Sequence, residues 1–223
     1  MIINKLKKHH GLKKVRLLDV PCGDMQWMSR FLKTRIDINY TGIDIVEDLI
    51  KHHQRTYVGR PWTFRNADIV TEDFVNDFDL IVTRSMMQHL SHADVLNILK
   101  KFSDVKVPHP SFMLATTFSN MERNDELDIN MVGRFRPVNL ELAPFRLEPP
   151  LCLFKDGPSP GVIKHANFMG LWRLPLMTVH ESVCSDNNVA RFPTSLSPLT
   201  LYSCVNWKLN GTYKTNTRLN RIL

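Results

Sequence analysis

At 223 residues, 43% apolar and 23% charged, the chain has the length and composition of one globular domain with a proper core. No apolar run approaches the roughly 18 residues of a membrane-spanning helix, and Met1 to Lys8 lacks the apolar centre of a secretory signal, so the expectation is a cytoplasmic protein without a membrane partner. The net charge of +7 is not a duplex-binding signature, because residues 1–16 carry six basic and no acidic residues and residues 186–223 five basic against one acidic, while 17–185 hold 18 basic against 21 acidic. The excess sits in two tails, read as solvated.

Cys22, Cys152, Cys184 and Cys204 show neither CxxC nor zinc-ligand spacing, which predicts reduced thiols and no metal site. Residues 1–14 form a basic N-terminal segment, 15–176 a single α/β domain, and 177–223 an irregular, Ser-, Thr- and Asn-rich tail.

Val15 to Val20 reads as a buried strand ending on Asp19, broken by Pro21-Cys22-Gly23-Asp24. Met25 to Lys33 carries apolar residues at 25, 28, 31 and 32, one face of a helix. Tyr40 to Ile45 is a second strand, and Val46, Leu49, Ile50, His53 and Tyr57 give a second helical stripe with Glu47 and Asp48 in its first turn. Trp62 to Asn66 is a third strand delivering Ala67-Asp68, and Phe78 to Thr83 a fourth. Ser91 to Asp94 matches a capping box ahead of a helix burying Val95, Ile98, Leu99 and Phe102; Ser111 to Phe118 is a fifth strand. Strands alternating with helices predict βαβ units and a mostly parallel, doubly wound sheet. From Ser119 to Pro150 the periodicity dissolves into a long Pro-punctuated loop. Leu151 to Phe154 and Ala166 to Leu174 then read as a terminal antiparallel hairpin. His9-His10, His52-His53 and His109 show no ligand spacing and are read as solvated.

Three acids, Asp19, Asp44 and Asp68, stand where successive strands stop, facing the crevice in which such sheets bind nucleoside-like ligands. A dinucleotide needs G-x-G-x-x-G so that its pyrophosphate can approach the backbone. Here only Gly23 is glycine, and Asp24 puts a carboxylate where the pyrophosphate would sit. A nicotinamide-dependent oxidoreductase is therefore the weaker reading. A cofactor bearing a sulfonium and an ammonium suits the acids better.

Asp19-Val20-Pro21-Cys22-Gly23-Asp24, Tyr40-Thr41-Gly42-Ile43-Asp44 and Asn66-Ala67-Asp68 resemble the first three motifs of the class I S-adenosylmethionine-dependent methyltransferases. The resemblance runs from about Arg16 to Leu174 and is closest to a subgroup with D-x-P-C-G-D in its first motif. His89-Leu90-Ser91, Arg136-Pro137-Val138-Asn139-Leu140 and Gly170-Leu171-Trp172-Arg173-Leu174 match later segments of that subgroup. The resemblance implies a seven-stranded sheet of order 3-2-1-4-5-7-6. It also implies that Asp19, Pro21, Cys22 and Gly23 shape a methionine pocket, that Asp44 and Ile45 meet the ribose side, and that Asp68 and Ile69 meet the adenine. The usual D-x-G-x-G-x-G is reduced, with Pro21 and Met25 at two glycine positions.

Methyl transfer is an in-line displacement in which positioning supplies much of the rate; a base is needed only when the acceptor must lose a proton. His89 is the candidate base and Arg84 the substrate-orienting cation, both just beyond the fourth strand. Arg134, Arg136 and Asn139 are the candidate acceptor contacts, by charge-assisted hydrogen bonds. The expected acceptor is a small molecule or a protein, not nucleic acid. A non-catalytic binding protein on the same fold is the alternative.

Overall fold

The structure is a computed structural model that describes residues 2–128, 134–156 and 167–178. Its first strand, β1 (Val15–Asp19), is an apolar run because both of its faces are covered. Alternation sends Val15 and Leu17 into one core and Leu18, with Val20 just beyond it, into the other.

Around β1 stand α1 (Ile2–His10), α2 (Gln26–Leu32), β2 (Ile38–Asp44), α3 (Glu47–Thr56), β3 (Trp62–Asn66), β4 (Leu80–Thr83), α4 (His92–Ser103), β5 (Ser111–Phe118), β6 (Cys152–Lys155) and β7 (Asn167–Leu174). The seven strands form one sheet, β3-β2-β1-β4-β5-β7-β6, in the order the resemblance implies. β3 through β5 run parallel, and β7 is antiparallel to both β5 and β6.

Residues of α1, α2 and α3 (Ile3 and Leu6; Met28, Phe31 and Leu32; Ile50) share a core with Leu17, Tyr40 and Leu80 on one face of the sheet. On the other face Val95, Ile98, Leu99 and Phe102 of α4 pack with Leu18, Ile43, Ile81 and Met113. The capping box forms as read: Ser91 Oγ accepts the Asp94 N–H at 3.1 Å and donates to Asp94 Oδ2 at 2.6 Å.

The structure departs from the sequence reading at several places. The basic N-terminal segment is not a solvated tail along its length, since Ile2, Ile3 and Leu6 fall on one side of α1 and are buried. Its Lys7 pairs with Asp37 at 2.9 Å. Within the long loop, Val138, Leu140, Phe145 and Leu147 are buried against β5 and β7 without forming a helix. Their backbone is satisfied instead by irregular bonds, among them Phe118 N–H to the Val138 carbonyl and Leu140 N–H to Thr117 Oγ1. His53 is buried by its place in the helical stripe, and His109 stacks on His10 with ring centroids 5.1 Å apart.

Cys22 is a free, buried thiol, whereas Cys152 is disulfide-bonded, which departs from the expectation of reduced thiols throughout. Residues 179–223, most of the expected tail, lie outside the described residues.

Candidate active site

The turn after β1 is built by its neighbours. Val20 N–H donates to the Val82 carbonyl of β4, and Cys22 N–H donates to the Ile43 carbonyl of β2, each at 2.9 Å. The turn therefore straddles the point where the chain leaves β1 for both sides of the sheet, the place where open α/β folds bind ligands. Asp44 fixes the rest: its Oδ2 accepts the Gly23 N–H and its Oδ1 the Val46 N–H, both at 3.0 Å. His53 Nε2 lies 2.7 Å from the Gly23 carbonyl. A carbonyl only accepts, so Nε2 carries the proton. Gly42 makes room for this packing; a Cβ there would lie 2.8 Å from Tyr40 Oη and 3.0 Å from Cys22 Cβ.

The missing glycines leave a visible trace. Met25 holds φ +60°, the left-handed region that glycine adopts freely and that costs another residue about 1–2 kcal/mol. Burial of its side chain, 1% exposed, with Sδ 2.9 Å from Tyr40 Oη, holds it there. The turn thus forms with Pro21 and Met25 in place.

Asp19 is 2% exposed and accepts a hydrogen bond from Tyr40 at 3.0 Å. Burial pushes its pKa up to about 7, with the Asp44 charge adding to the rise and the Tyr40 bond and Arg84 opposing it. Burial, then the charges of Asp19 and Asp44, push the Cys22 thiol up too, so it remains a neutral thiol. The turn is an acidic pocket short of positive charge. That chemistry fits an ammonium and a sulfonium and opposes a phosphate.

Beside Asp44, Ile45 is 65% and Val46 52% exposed, an apolar lip at the carboxyl end of β2. Asp68 is anchored locally: Oδ1 accepts the Val70 N–H and Oδ2 the Thr71 hydroxyl, at 2.9 and 3.0 Å. Ile69 is buried, and its carbonyl accepts from Lys101 Nζ at 3.0 Å. Asp68 and Ile69 therefore form an anchored loop near the site, with no carboxylate oxygen left without a partner.

Beyond β4, Arg84 makes a two-pronged ion pair with Asp156, Nε to Oδ2 at 2.9 Å and Nη2 to Oδ1 at 3.2 Å. His89 closes a short 3-10 turn, Met87–His89, and is exposed. Its Nδ1 lies 2.9 Å from the Arg134 carbonyl, so Nδ1 carries a proton and Nε2 faces away from that bond. Arg134 is exposed and reaches this region through its backbone. Arg136 is 6% exposed and clamps the turn, donating to the Leu90 carbonyl at 2.7 Å with Glu126 at 3.5 Å. Asn139 faces its own turn, its Oδ1 accepting the Glu141 N–H at 2.9 Å. A cavity of about 310 Å³ opens between residues 120–123, Asp125 and Arg136-Pro137, beyond the carboxyl end of β5.

The fold thus gathers Asp19, Pro21, Cys22, Gly23, Asp44 and Ile45 at one crevice, with Arg84 close enough for its charge to act on Asp19. His89, Arg134 and Arg136 form a neighbouring group, and the Asn139 side chain stays apart. Sequence reasoning missed His53, Asp156 and Gln88. The helical stripe signalled that His53 is buried. Asp156 pairs across 72 residues, and Gln88 is fully buried with neither amide atom bonded; neither has a local signature.

Residues 17–109 match the family "Methyltransferase domain". A solved methyltransferase of Burkholderia thailandensis, 1,6-didemethyltoxoflavin-N1-methyltransferase with bound 1,6-didemethyltoxoflavin and S-adenosylhomocysteine, shares the fold at 20% identity and a TM-score of 0.56, over 77% of this chain and 75% of that one. A S-adenosylmethionine-dependent methyltransferase of Methanosarcina mazei does so at 14% identity and a TM-score of 0.54, over 76% and 98%. The chain covers 43% of a mycolic acid cyclopropane synthase, at 22% identity and a TM-score of 0.42. No curated protein matches by sequence. Residues 17–109 are thus similar to a methyltransferase domain, and the sheet has the Rossmann-like methyltransferase fold.

Proposed function

We propose that this chain binds S-adenosylmethionine at the turn after β1 and transfers its methyl group to an acceptor, as a member of the subgroup with D-x-P-C-G-D in its first motif. One observation carries the reading: two carboxylates, Asp19 and Asp44, meet at the turn, and burial disfavours the charge of Asp19. A bound cation restores that charge; a pyrophosphate would oppose it. Asp24, whose Oδ1 accepts the Gln26 N–H at 3.0 Å at the start of α2, adds a third carboxylate where a dinucleotide would need none.

S-adenosylmethionine supplies an electrophilic methyl group. Asp19, Pro21, Cys22 and Gly23 hold its amino-acid end, and Asp44 the ribose. Each Asp44 oxygen accepts one backbone N–H and keeps acceptor capacity for a hydroxyl. Ile45 and Val46 offer an apolar face to the base. Asp68, whose oxygens likewise each accept one bond within its own loop, keeps acceptor capacity for the adenine beside Ile69. His89 Nε2 takes the proton of an acceptor that must lose one. Arg84 orients the acceptor; Arg134 lines its approach, and Arg136 contributes by fixing the turn that carries His89. The Burkholderia neighbour is named for methylation of a small heterocycle, and a cavity of about 310 Å³ suits a small acceptor or a protein side chain.

Transfer of a tritiated methyl group from S-adenosylmethionine into fractionated extract tests the reading. The native protein labels a fraction; His89→Ala binds S-adenosylhomocysteine normally and labels it about 100-fold more slowly, within the usual range for loss of a general base. Equal labelling by His89→Ala removes His89 from the chemistry.

A further inference from the structure

Arg84 is the first residue beyond β4 and Asp156 the first beyond β6. Two strands, β5 and β7, separate them in the sheet, a step of roughly 14 Å from strand spacing alone. The guanidinium reaches across that gap to a carboxylate that is itself 2% exposed, while the Arg84 side chain is 37% exposed. A guanidinium has five N–H groups in a rigid fork. Nε and one hydrogen of Nη2 go to Asp156, so both hydrogens of Nη1 and the second of Nη2 point away from it. The next residue, Ser85, holds φ +56° and is pinned by donation of its N–H to Thr116 Oγ1 at 2.9 Å. Backbone strain of this kind, of order 1–3 kcal/mol, persists where the surroundings fix a functional side chain.

We infer that Asp156 is a positioning residue that presents the free edge of Arg84 to an oxyanion, a carboxylate or phenolate, on the methyl acceptor. The inference rests on the methyltransferase reading in one respect: it places that oxyanion beside the cofactor crevice. A bare guanidinium there would repel a cationic methyl donor. Pairing with Asp156 cancels the net charge and keeps three directed donors, which match the planar geometry of a carboxylate. Arg84 also acts on Asp19 at the turn, so the fork stands between the cofactor acids and the distal edge of the sheet.

Calorimetry with S-adenosylhomocysteine comes first, followed by benzoate titration of the saturated protein, read on the Arg84 Nε–H resonance and assigned by its absence in Arg84→Lys. Benzoate shifts that resonance saturably in the millimolar range; benzylamine does not. Asp156→Asn binds S-adenosylhomocysteine as the native chain does and weakens benzoate by about tenfold, roughly one charge-assisted hydrogen bond; Asp156→Glu recovers part of the loss. Should Asp156→Asn fail to fold, Arg84→Lys, titrated with benzoate by calorimetry against the native chain, keeps the charge, loses the fork, and must lose benzoate equally. An Arg84 resonance unmoved by benzoate, or benzoate binding indifferent to Asp156→Asn and Arg84→Lys, overturns the inference while leaving the methyltransferase reading intact. Benzoate binding without any S-adenosylhomocysteine binding overturns that reading and leaves the fork.

Discussion

The two halves of the sheet are covered in different ways. Of the four connections that follow β1, β2, β3 and β4, three carry a regular helix: α2, α3 and α4. Over β5 and β7, Val138, Leu140, Phe145 and Leu147 on irregular backbone complete the core of the α4 face. The first half binds its site locally, with Asp44, His53 and Gly42 all within one βαβ unit of the turn. The second binds its site at a distance, through Arg84–Asp156 and through Arg136 to Leu90 and Glu126. Rigid local geometry suits a constant cofactor. Long-range contacts on irregular backbone leave room to change the acceptor without disturbing it.

That contrast can be broken most severely at Asp44. Asp44→Ala removes two charge-assisted backbone bonds, to Gly23 and Val46, and with them the proposed ribose contact. Affinity for S-adenosylhomocysteine falls by about 100-fold or more in calorimetry, while benzoate still moves the Arg84 resonance.

A pH effect follows at the same turn. Asp19 has its pKa at about 7 in the fold, above the 3.8 of an unperturbed carboxyl. Its contribution to stability is therefore present below pH 3.8 and is lost as the pH rises through 7. A cationic ligand favours the ionised form and acts in the opposite sense. Affinity for S-adenosylmethionine falls by about tenfold per unit below pH 7 until another group takes over, and the gain in Tm on adding it grows from pH 5.5 to 8. A pH-independent gain removes Asp19 from the pocket.

Gly42→Ala sharpens the link between β2 and the turn. The added methyl meets Tyr40 Oη and Cys22 Cβ at 2.8 and 3.0 Å. Chemical denaturation shows a loss of about 1–3 kcal/mol, with weaker S-adenosylhomocysteine binding as Cys22 is displaced. Ser91→Ala, at the start of α4, costs about 1 kcal/mol through the lost cap and leaves S-adenosylhomocysteine binding unchanged.

The same division decides what the sequence discloses. In the β3-to-β4 half, period and punctuation carry the signal: Trp62–Asn66 is a strand over the residues its alternation predicts, and Ser91 caps α4 as its capping box predicts. The acids Asp19 and Asp44 were legible because a strand end fixes where a carboxylate stands. Asp68 was legible as a strand-end acid, but not its capture by Val70 and Thr71, since a short side chain can turn to its own backbone. In the other half, Val138 and Leu140 hide in a Pro-punctuated stretch because irregular backbone has no period. Arg84 was visible as a cation near the site; its partner Asp156 was not, since nothing local encodes a pairing across 72 residues. The place of His89 just beyond β4 was readable from the sequence, and the contact of its Nδ1 with the Arg134 carbonyl was not.

The most direct measurement is calorimetry of the protein with S-adenosylmethionine, S-adenosylhomocysteine and NAD in parallel at pH 8. An acidic turn built for a cationic cofactor binds the first two and leaves NAD without measurable heat. Binding of NAD alone, or no binding of any of the three at millimolar concentration, contradicts it.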